Sequence, residues 1–194
     1  ATALPSVMQA TGAQAVVDWV LLELHEDNAA YSLAGRRAAL LRRDGTVVAP
    51  DGNVLLGFNG TTANRHVAVR HRNHLVALAT TLLTGNGELL DFTLSSTPLF
   101  GTGAEMNTGG VMALWPGNVN DDGKVKYTGA NNDRDAILLV TGGLQPIHTV
   151  TGYNNCDVNM DGKVSYTGPA NDRDQVLLVL GSSLSTQIIT EQMP

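Results

Sequence analysis

Two stretches of this sequence place oxygen-bearing side chains at every second position. In GNVNDDGKVKYTGANNDRDAILLV, residues 117–140, they are Asn118, Asn120 and Asp122. In CDVNMDGKVSYTGPANDRDQVLLV, residues 156–179, they are Asp157, Asn159 and Asp161. Asn118 aligns with Asp157 at an offset of 39 residues, and 16 of the 24 aligned positions are identical, so the chain contains an internal repeat. A Gly follows each triad, Gly123 or Gly162, then Lys124 or Lys163. Hard oxygen ligands at positions one, three and five, a Gly at six for the sharp turn and a backbone carbonyl at seven form the first half of a calcium loop. Alternation is required because a chain wrapped around an ion turns every second side chain inward. The side chains of Lys124 and Lys163 then point outward while their carbonyls ligate.

The second half of each loop departs from the twelve-residue pattern. Position twelve is Gly129 or Gly168 where a carboxylate is expected. The next carboxylates come later, as Asp133 and Asp135 or Asp172 and Asp174. One Asp of each pair is expected to close the ion's shell, and the other to cap the helix that DRDAILLV or DRDQVLLV begins. The leucine spacing downstream favours Asp135 and Asp174 as ligands. Gly142 and Gly181 are the expected helix stops. Two calcium ions are thus expected, the first held more weakly because Asn118 stands where the second loop has Asp157. Asx turns without a metal are the alternative reading of such loops.

The elements before the repeat are β-like. Residues 1–13 read as an extended leader. Ala15 to Glu26 reads as a strand, since Asp18 and Glu23 do not build a helical stripe. Arg36 to Val48 carries Asp44-Gly45, a tight-turn pair between two strand-like arms, although Ala and Leu would also suit a helix over Arg36–Arg43. Further strands are expected over Asn53–Phe58, closed by Asn59-Gly60, over His66–Leu78, and on both sides of Gly85-Asn86-Gly87. Short strands separated by turn signals predict an antiparallel, Ig-like β-sandwich over 14–100. Residues 101–115 read as a linker, 116–183 as the calcium-binding domain and 184–194 as an extended tail.

Composition narrows the function classes. The chain has 194 residues, a formal charge of −6 and a single cysteine, Cys156, so an intrachain disulfide is impossible. The acidic excess concentrates in the C-terminal part, with 5 basic against 9 acidic residues over 116–194. No basic patch is interleaved with aromatics, which argues against nucleic acid. No apolar run reaches the length of a membrane span. His71 and His74 would lie on opposite faces of a strand and share no metal there. The basic stretch Arg65, Arg70, His71 and Arg72 reads as one solvated strand face, with contact to an acidic partner as the alternative. Ser95-Ser96 has no His/Asp partner pattern, and Asp18, Glu23, Glu26 and Asp27 show no acid–base pairing, so no enzyme is expected. Cys156, Trp115, Tyr127 and Tyr166 read as packing residues.

The C-terminal third resembles the dockerin type I repeat, a tandem pair of F-hand calcium motifs in secreted bacterial proteins. The matching positions are Asn118, Asn120 and Asp122, then Asp157, Asn159 and Asp161, each followed by Gly-Lys-Val. The forms KYTGANNDRD and SYTGPANDRD look like dockerin-like tails of large extracellular Bacteroidota proteins. The segments WVLLEL, RAALLRRDG and HVAVRHRNHL look like the module that accompanies those tails. This resemblance implies an extracellular or cell-surface location, while the inserted YTG segment sets the chain apart from ordinary cohesin recognition. The functional expectation is a calcium-stabilised structural protein that assembles with copies of itself into a fibre, tubule or sheath. Its tail, with Ile188 and Ile189, would add a strand to a neighbour's sheet edge. The alternative is a docking module for a receptor protein or a glycan.

Overall fold

Runs rich in Val, Leu and Ala set the architecture, because pleated backbone lets them pack on both sides of a sheet. The computed structural model describes residues 1–58, 64–183 and 185–194 and is mainly β. The chain forms two compact units. One comprises 1–71, 77–100 and 193–194; the other comprises 72–76 and 101–192.

The first unit begins with a short helix, α1 (Pro5–Met8), and a 3-10 turn at Gly12–Gln14. The expected extended leader is therefore partly coiled. Pro5 presets the helical φ, and Val7 is held in an apolar cluster with Leu40 and Val48. Five strands follow: β1 (Val16–Glu26), β2 (Leu33–Arg42), β3 (Val47–Val48), β4 (Arg65–Arg70) and β5 (Ala77–Leu83). They form one antiparallel sheet in the order β3-β2-β1-β4-β5. The Asp44-Gly45 turn joins β2 to β3; Gly45 takes φ +85°, and Asp44 accepts from the Thr46 amide at 2.9 Å. Cross-strand pairing from Glu23↔Arg36 to Trp19↔Leu40 holds Arg36–Arg43 as strand and overrides its helical propensity.

Several expectations are corrected here. The two-layer sandwich is not formed: among the described residues the first unit has a single sheet. The runs 53–58 and 84–94 that would have supplied further strands are loops. Their polar side chains bond neighbouring amides instead, Asn53 to Leu55 at 2.9 Å, Glu88 to Thr84 at 2.8 Å and Asp91 to Thr93 at 2.8 Å, which competes with ladder formation. Asn59-Gly60 lies outside the described residues. The long strand expected over His66–Leu78 breaks at 71–76, five residues of which belong to the second unit.

Both faces of the sheet are occupied. Val20, Leu22 and Ala39 cluster with Val69 and Phe58 on one side, and Leu40 and Val48 pack with Trp19 on the other. Among the described residues of this sheet, Asp18 and Glu23 are buried with charged partners. Glu23, 2 % exposed, contacts Arg36 at 2.8 Å, His25 at 3.5 Å and Arg70 at 3.6 Å. Asp18 meets His71 at 3.0 Å, and Arg65 meets Glu26 at 3.1 Å. The arginines expected to form a solvated face are instead ion-paired.

In the second unit, the expected linker 101–115 contains a hairpin, β6 (Glu105–Thr108) and β7 (Val111–Leu114), turned by Gly109 and Gly110 at φ +68° and +97°. The repeat then gives β8 (Lys124–Lys126), α2 (Asp133–Val140), β9 (Thr149–Thr151), β10 (Lys163–Ser165), α3 (Asp172–Val179) and β11 (Ile188–Thr190). The trailing strand of each copy pairs with the loop strand of the other: β9 with β10, and β11 with β8. The tail, Leu184 aside, is thus no free strand; Ile188–Thr190 already pairs with Lys124–Lys126. The core beneath is built from equivalent residues of the two copies, Val119 with Val158, Val125 with Val164 and Ile137 with Val176, joined by Leu75, Cys156 and Leu180. Each helix ends as expected at a glycine. Gly142 donates to Leu139 and Gly143 to Leu138, as Gly181 does to Leu178 and Ser182 to Leu177, which is the Schellman arrangement.

Glu105 is the outlier of this unit. It is 6 % exposed, its Oε1 is buried without a hydrogen-bond partner, and burial pushes its carboxyl from 4.5 up to about 7. A raised folded value favours the folded state below about pH 4.5, and that contribution is lost as pH rises through about 7. Glu105→Gln is therefore expected to raise the melting temperature at pH 8 and to leave it nearly unchanged at pH 4. Thermal melts across that range check this; an equal shift at both ends would remove the carboxyl as its cause.

Candidate metal centre

Each loop is shaped by its own side chains before any ion is considered. In the first, the amide of Asp122 donates to Asn118 Oδ1 at 3.1 Å and to Asn120 Oδ1 at 3.2 Å, and Asp122 Oδ1 accepts from the Lys124 amide at 3.0 Å. The second repeats this: the Asp161 amide donates to Asp157 Oδ1 at 3.1 Å and Asn159 Oδ1 at 3.0 Å, and Asp161 Oδ1 accepts from Lys163 at 2.9 Å. Asn120 and Asn159 brace the far side through the carbonyls of Asn131, at 2.8 Å, and Ala170, at 2.6 Å. Gly123 and Gly162 make the turn at φ +72° and +85°, a region their lack of Cβ opens. The loops differ at their first position. Asp157 Oδ2 accepts from the Gly162 amide at 3.1 Å, a bond for which the Asn118 amide nitrogen has no lone pair.

The carboxylates beyond the loops divide clearly. Asp133 and Asp172 are 0 % exposed. Asp133 accepts from Val119 at 3.0 Å and Lys126 at 2.9 Å, and Asp172 from Val158 and Ser165, both at 2.7 Å. Each carboxylate thus ties the start of its loop to the strand that follows. Asp135 and Asp174 lie at the surface, 2.9 and 2.8 Å from Arg134 and Arg173. Asp133 and Asp172, rather than the leucine-favoured Asp135 and Asp174, are the carboxylates that lie against the loops. A helix's first residue lies against the loop, and its third has rotated about 200° away. Nor does the spare Asp cap the helix. Asn132 and Asn171 are the caps, accepting from the amides of Asp135 and Asp174 at 2.9 Å and donating back to those carboxylates at 2.8 Å.

Electrostatics separates the same two pairs. The hydrogen bond from Asn132, followed by Arg134, holds Asp135 below the usual carboxylate range; Asn171 and Arg173 do this for Asp174. Burial pushes Asp133 up to about 7, and the Asp122 charge adds to the rise. Asp172 is raised by burial, with the Asp157 charge adding. Burial and then the charges of Asp172 and Asp133 push the Cys156 thiol up to about 11, which keeps it an inert packing group. Among the described residues no cationic side chain pairs with Asp133 or Asp172. Cations do touch other loop carboxylates: Lys126 Nζ stands 3.1 Å from Asp122 Oδ2, and Arg72 Nη2 stands 3.5 Å from Asp157 Oδ2.

The donor set suits a hard cation. Amide oxygens of Asn118 and Asn120, the Asp122 and Asp133 carboxylates and the Lys124 carbonyl are all oxygen donors, as are Asp157, Asn159, Asp161, Asp172 and the Lys163 carbonyl. Asp172 takes two backbone hydrogen bonds on Oδ1, from Val158 and Asn159, and one on Oδ2, which keeps a further lone pair; Asp133 accepts from Val119 on Oδ1 and from Lys126 on Oδ2. Among the described residues no three His, Cys, Asp or Glu side chains are grouped as a metal site; the loops mix amide and carbonyl oxygens with few carboxylates. His71 and His74 belong to different units, and His74 bonds Asn73 at 2.8 Å. Trp115 donates to the Gly103 carbonyl at 2.9 Å, while Tyr127 and Tyr166 pack on the core under Arg134 and Arg173.

Sequence reasoning missed Arg72 and Asn73. The Arg72 guanidinium donates to the Asn154 carbonyl, and Asn73 donates to the Asp157 carbonyl at 2.7 Å while accepting from the Gly117 amide at 2.8 Å. Nothing in their local spacing signals this, since their partners lie more than 40 residues away. The caps Asn132 and Asn171 were readable, as Asn immediately before a DRD run. No family model matches the chain, and neither a curated protein nor a solved structure matches it.

Removing one cap should cost about 1 kcal/mol, the usual price of an Asn→Ala change at such a site. Asn132→Ala is expected to lower the denaturation midpoint accordingly, with Arg134→Ala, which loses only a surface pair, changing it far less. Urea unfolding of both variants decides the matter; equal losses would mean the cap is not what anchors α2.

Proposed function

We propose that the second unit is a calcium-stabilised module of the dockerin-like kind, carrying two ions. The observation behind this reading is the pair of fully buried carboxylates, Asp133 and Asp172, that lie against oxygen-rich loops with no cationic side chain beside them. A buried charge is stable only when neutralised, paired or bound to a metal. Clustered oxygen donors from Asn118, Asn120 and Asp122, and from Asp157, Asn159 and Asp161, supply the rest of each shell. Asp133 and Asp172 are the carboxylates assigned to close them. A bound divalent cation would supply charge neutralisation and cross-link loop to helix. The chain's own residues preset the loops through their Asx bonds and hold the closing carboxylate in place.

The wider role in this reading is structural and extracellular, where calcium is abundant enough for weak sites to fill. No helix among the described residues is long and apolar enough to cross a membrane. Assembly with further copies belongs to the same proposal, but not through a free tail strand, since β11 is engaged within its own unit. Leu139 and Leu178, equivalent positions of the repeat, are 75 % and 60 % exposed and leave each helix an apolar point of contact.

If free calcium stands about 100-fold above the dissociation constant, each site adds about 2.7 kcal/mol. The melting temperature is therefore expected to be higher in millimolar calcium than in excess chelator. Asp133→Asn should remove part of that difference and Asp135→Asn almost none. Calorimetric melts of the three proteins in both buffers test the assignment, and light scattering in the same buffers tests assembly. An identical melt with calcium and with chelator would end the calcium reading.

A further inference from the structure

The two loops are near copies, yet one carries a cation of its own. Lys126 sits at the end of β8 with its side chain 12 % exposed. Its amide donates to Asp133 Oδ2 at 2.9 Å, and its ammonium stands 3.1 Å from Asp122 Oδ2. One residue therefore engages both Asp122 and Asp133. The equivalent residue in the second loop is Ser165. Its amide makes the matching bond to Asp172 at 2.7 Å, but a hydroxyl is too short to reproduce the ammonium's reach. Asp161 Oδ2 is approached instead by the neutral amide of Asn159, at 3.4 Å.

We propose that Lys126 is a built-in counter-cation of the first loop, which competes with a divalent ion for Asp122 and makes this the weaker, later-filling site. The proposal rests on the calcium reading above. An ammonium at contact distance from Asp122 Oδ2 occupies a lone pair that an entering ion would use, so it must swing outward when the ion takes that oxygen. Its flexible four-carbon stem permits this, as a rigid guanidinium fork would not. The charge count does not separate the loops: the first sets Asp121, Asp122 and Asp133 against Lys126, and the second sets Asp157, Asp161 and Asp172 against Arg72. The placement of the cation does. Arg72 is less able to leave. Its guanidinium is tied to the carbonyls of Asn154 and Asp157 and lies 4.7 Å from the Tyr153 ring centre, outside the triad it adjoins. The second loop thus keeps its cation tied to backbone carbonyls at its entrance, and the first keeps one that holds Asp122 when no metal is bound.

Calcium titration calorimetry on the whole chain, with Lys126→Ser and the reciprocal Ser165→Lys, tests this. The wild type should show a tight and a weak step. Lys126→Ser should tighten the weak step on the order of tenfold, the loss of one competing charge-assisted contact, and should lower the melting temperature in chelator. Ser165→Lys should weaken the tight step by a similar factor, which gives a second reading should the first variant fold poorly. Calcium binding with both steps unchanged in Lys126→Ser and Ser165→Lys would overturn the role of Lys126 alone. An absence of calcium heat from all three proteins, with melts indifferent to chelator, would overturn the calcium reading as well.

Discussion

A carboxylate with no exposure to water, spanning a loop from its first turn to its exit strand, is the constraint on which the second unit depends. Asp133 and Asp172 each accept amides seven residues apart, so that loop, strand and helix start close around one group. Charged acceptors make stronger hydrogen bonds than neutral ones, which favours this role for an ionised Asp. Burial works against ionisation and raises both groups. The two effects oppose each other at both groups, and a positive charge placed in the loop would relieve that tension.

The same carboxylates set the fold's symmetry. Because each fixes the angle between its loop strand and its helix, the trailing strand β9 or β11 leaves its own copy and lies on the other copy's loop strand. Neither copy can bury Val125 and Ile137, or Val164 and Val176, by itself. Exchange of trailing strands gives each loop strand a partner and seals a shared core. A strand three residues long contributes little alone; it persists here because the exchange closes on both sides. That closure also explains why the chain's last strand is not a free edge seeking a neighbour.

Local chemistry was legible in the sequence. The glycine turns, the two helix starts and stops and the Asp44-Gly45 hairpin each depend on residues within about ten positions of one another, and each takes the expected local form. What failed was long-range or depended on competition. The second layer of the sandwich was lost because Asn53, Glu88 and Asp91 bond their own backbone where strands were expected. The choice between Asp133 and Asp135 turned on which side of a first helical turn meets the loop, and leucine spacing further along does not report that. The tail's pairing was visible only as a faint echo at the 39-residue offset, Thr149-Val150-Thr151 against Ile188-Ile189-Thr190.

Five residues far upstream complete the argument about the two loops. Asn73, fully buried, accepts from Gly117 just before Asn118, which opens the first loop, and donates to the carbonyl of Asp157, which opens the second. Leu75 enters the shared core, and the amide of Val76 donates to Glu191 at 3.0 Å, next to β11. Gly117 tolerates this approach because it has no Cβ; one placed there would meet Val125 at 3.0 Å and require φ near +109° of a residue that resists it. One short segment therefore touches the entrance of both loops, the core between them and the residue after the exchanged tail strand. A change in either loop's opening turn must move Asn73, and Asn73 has no freedom to move without disturbing the other. On this geometry the openings of the two loops are coupled through one buried side chain.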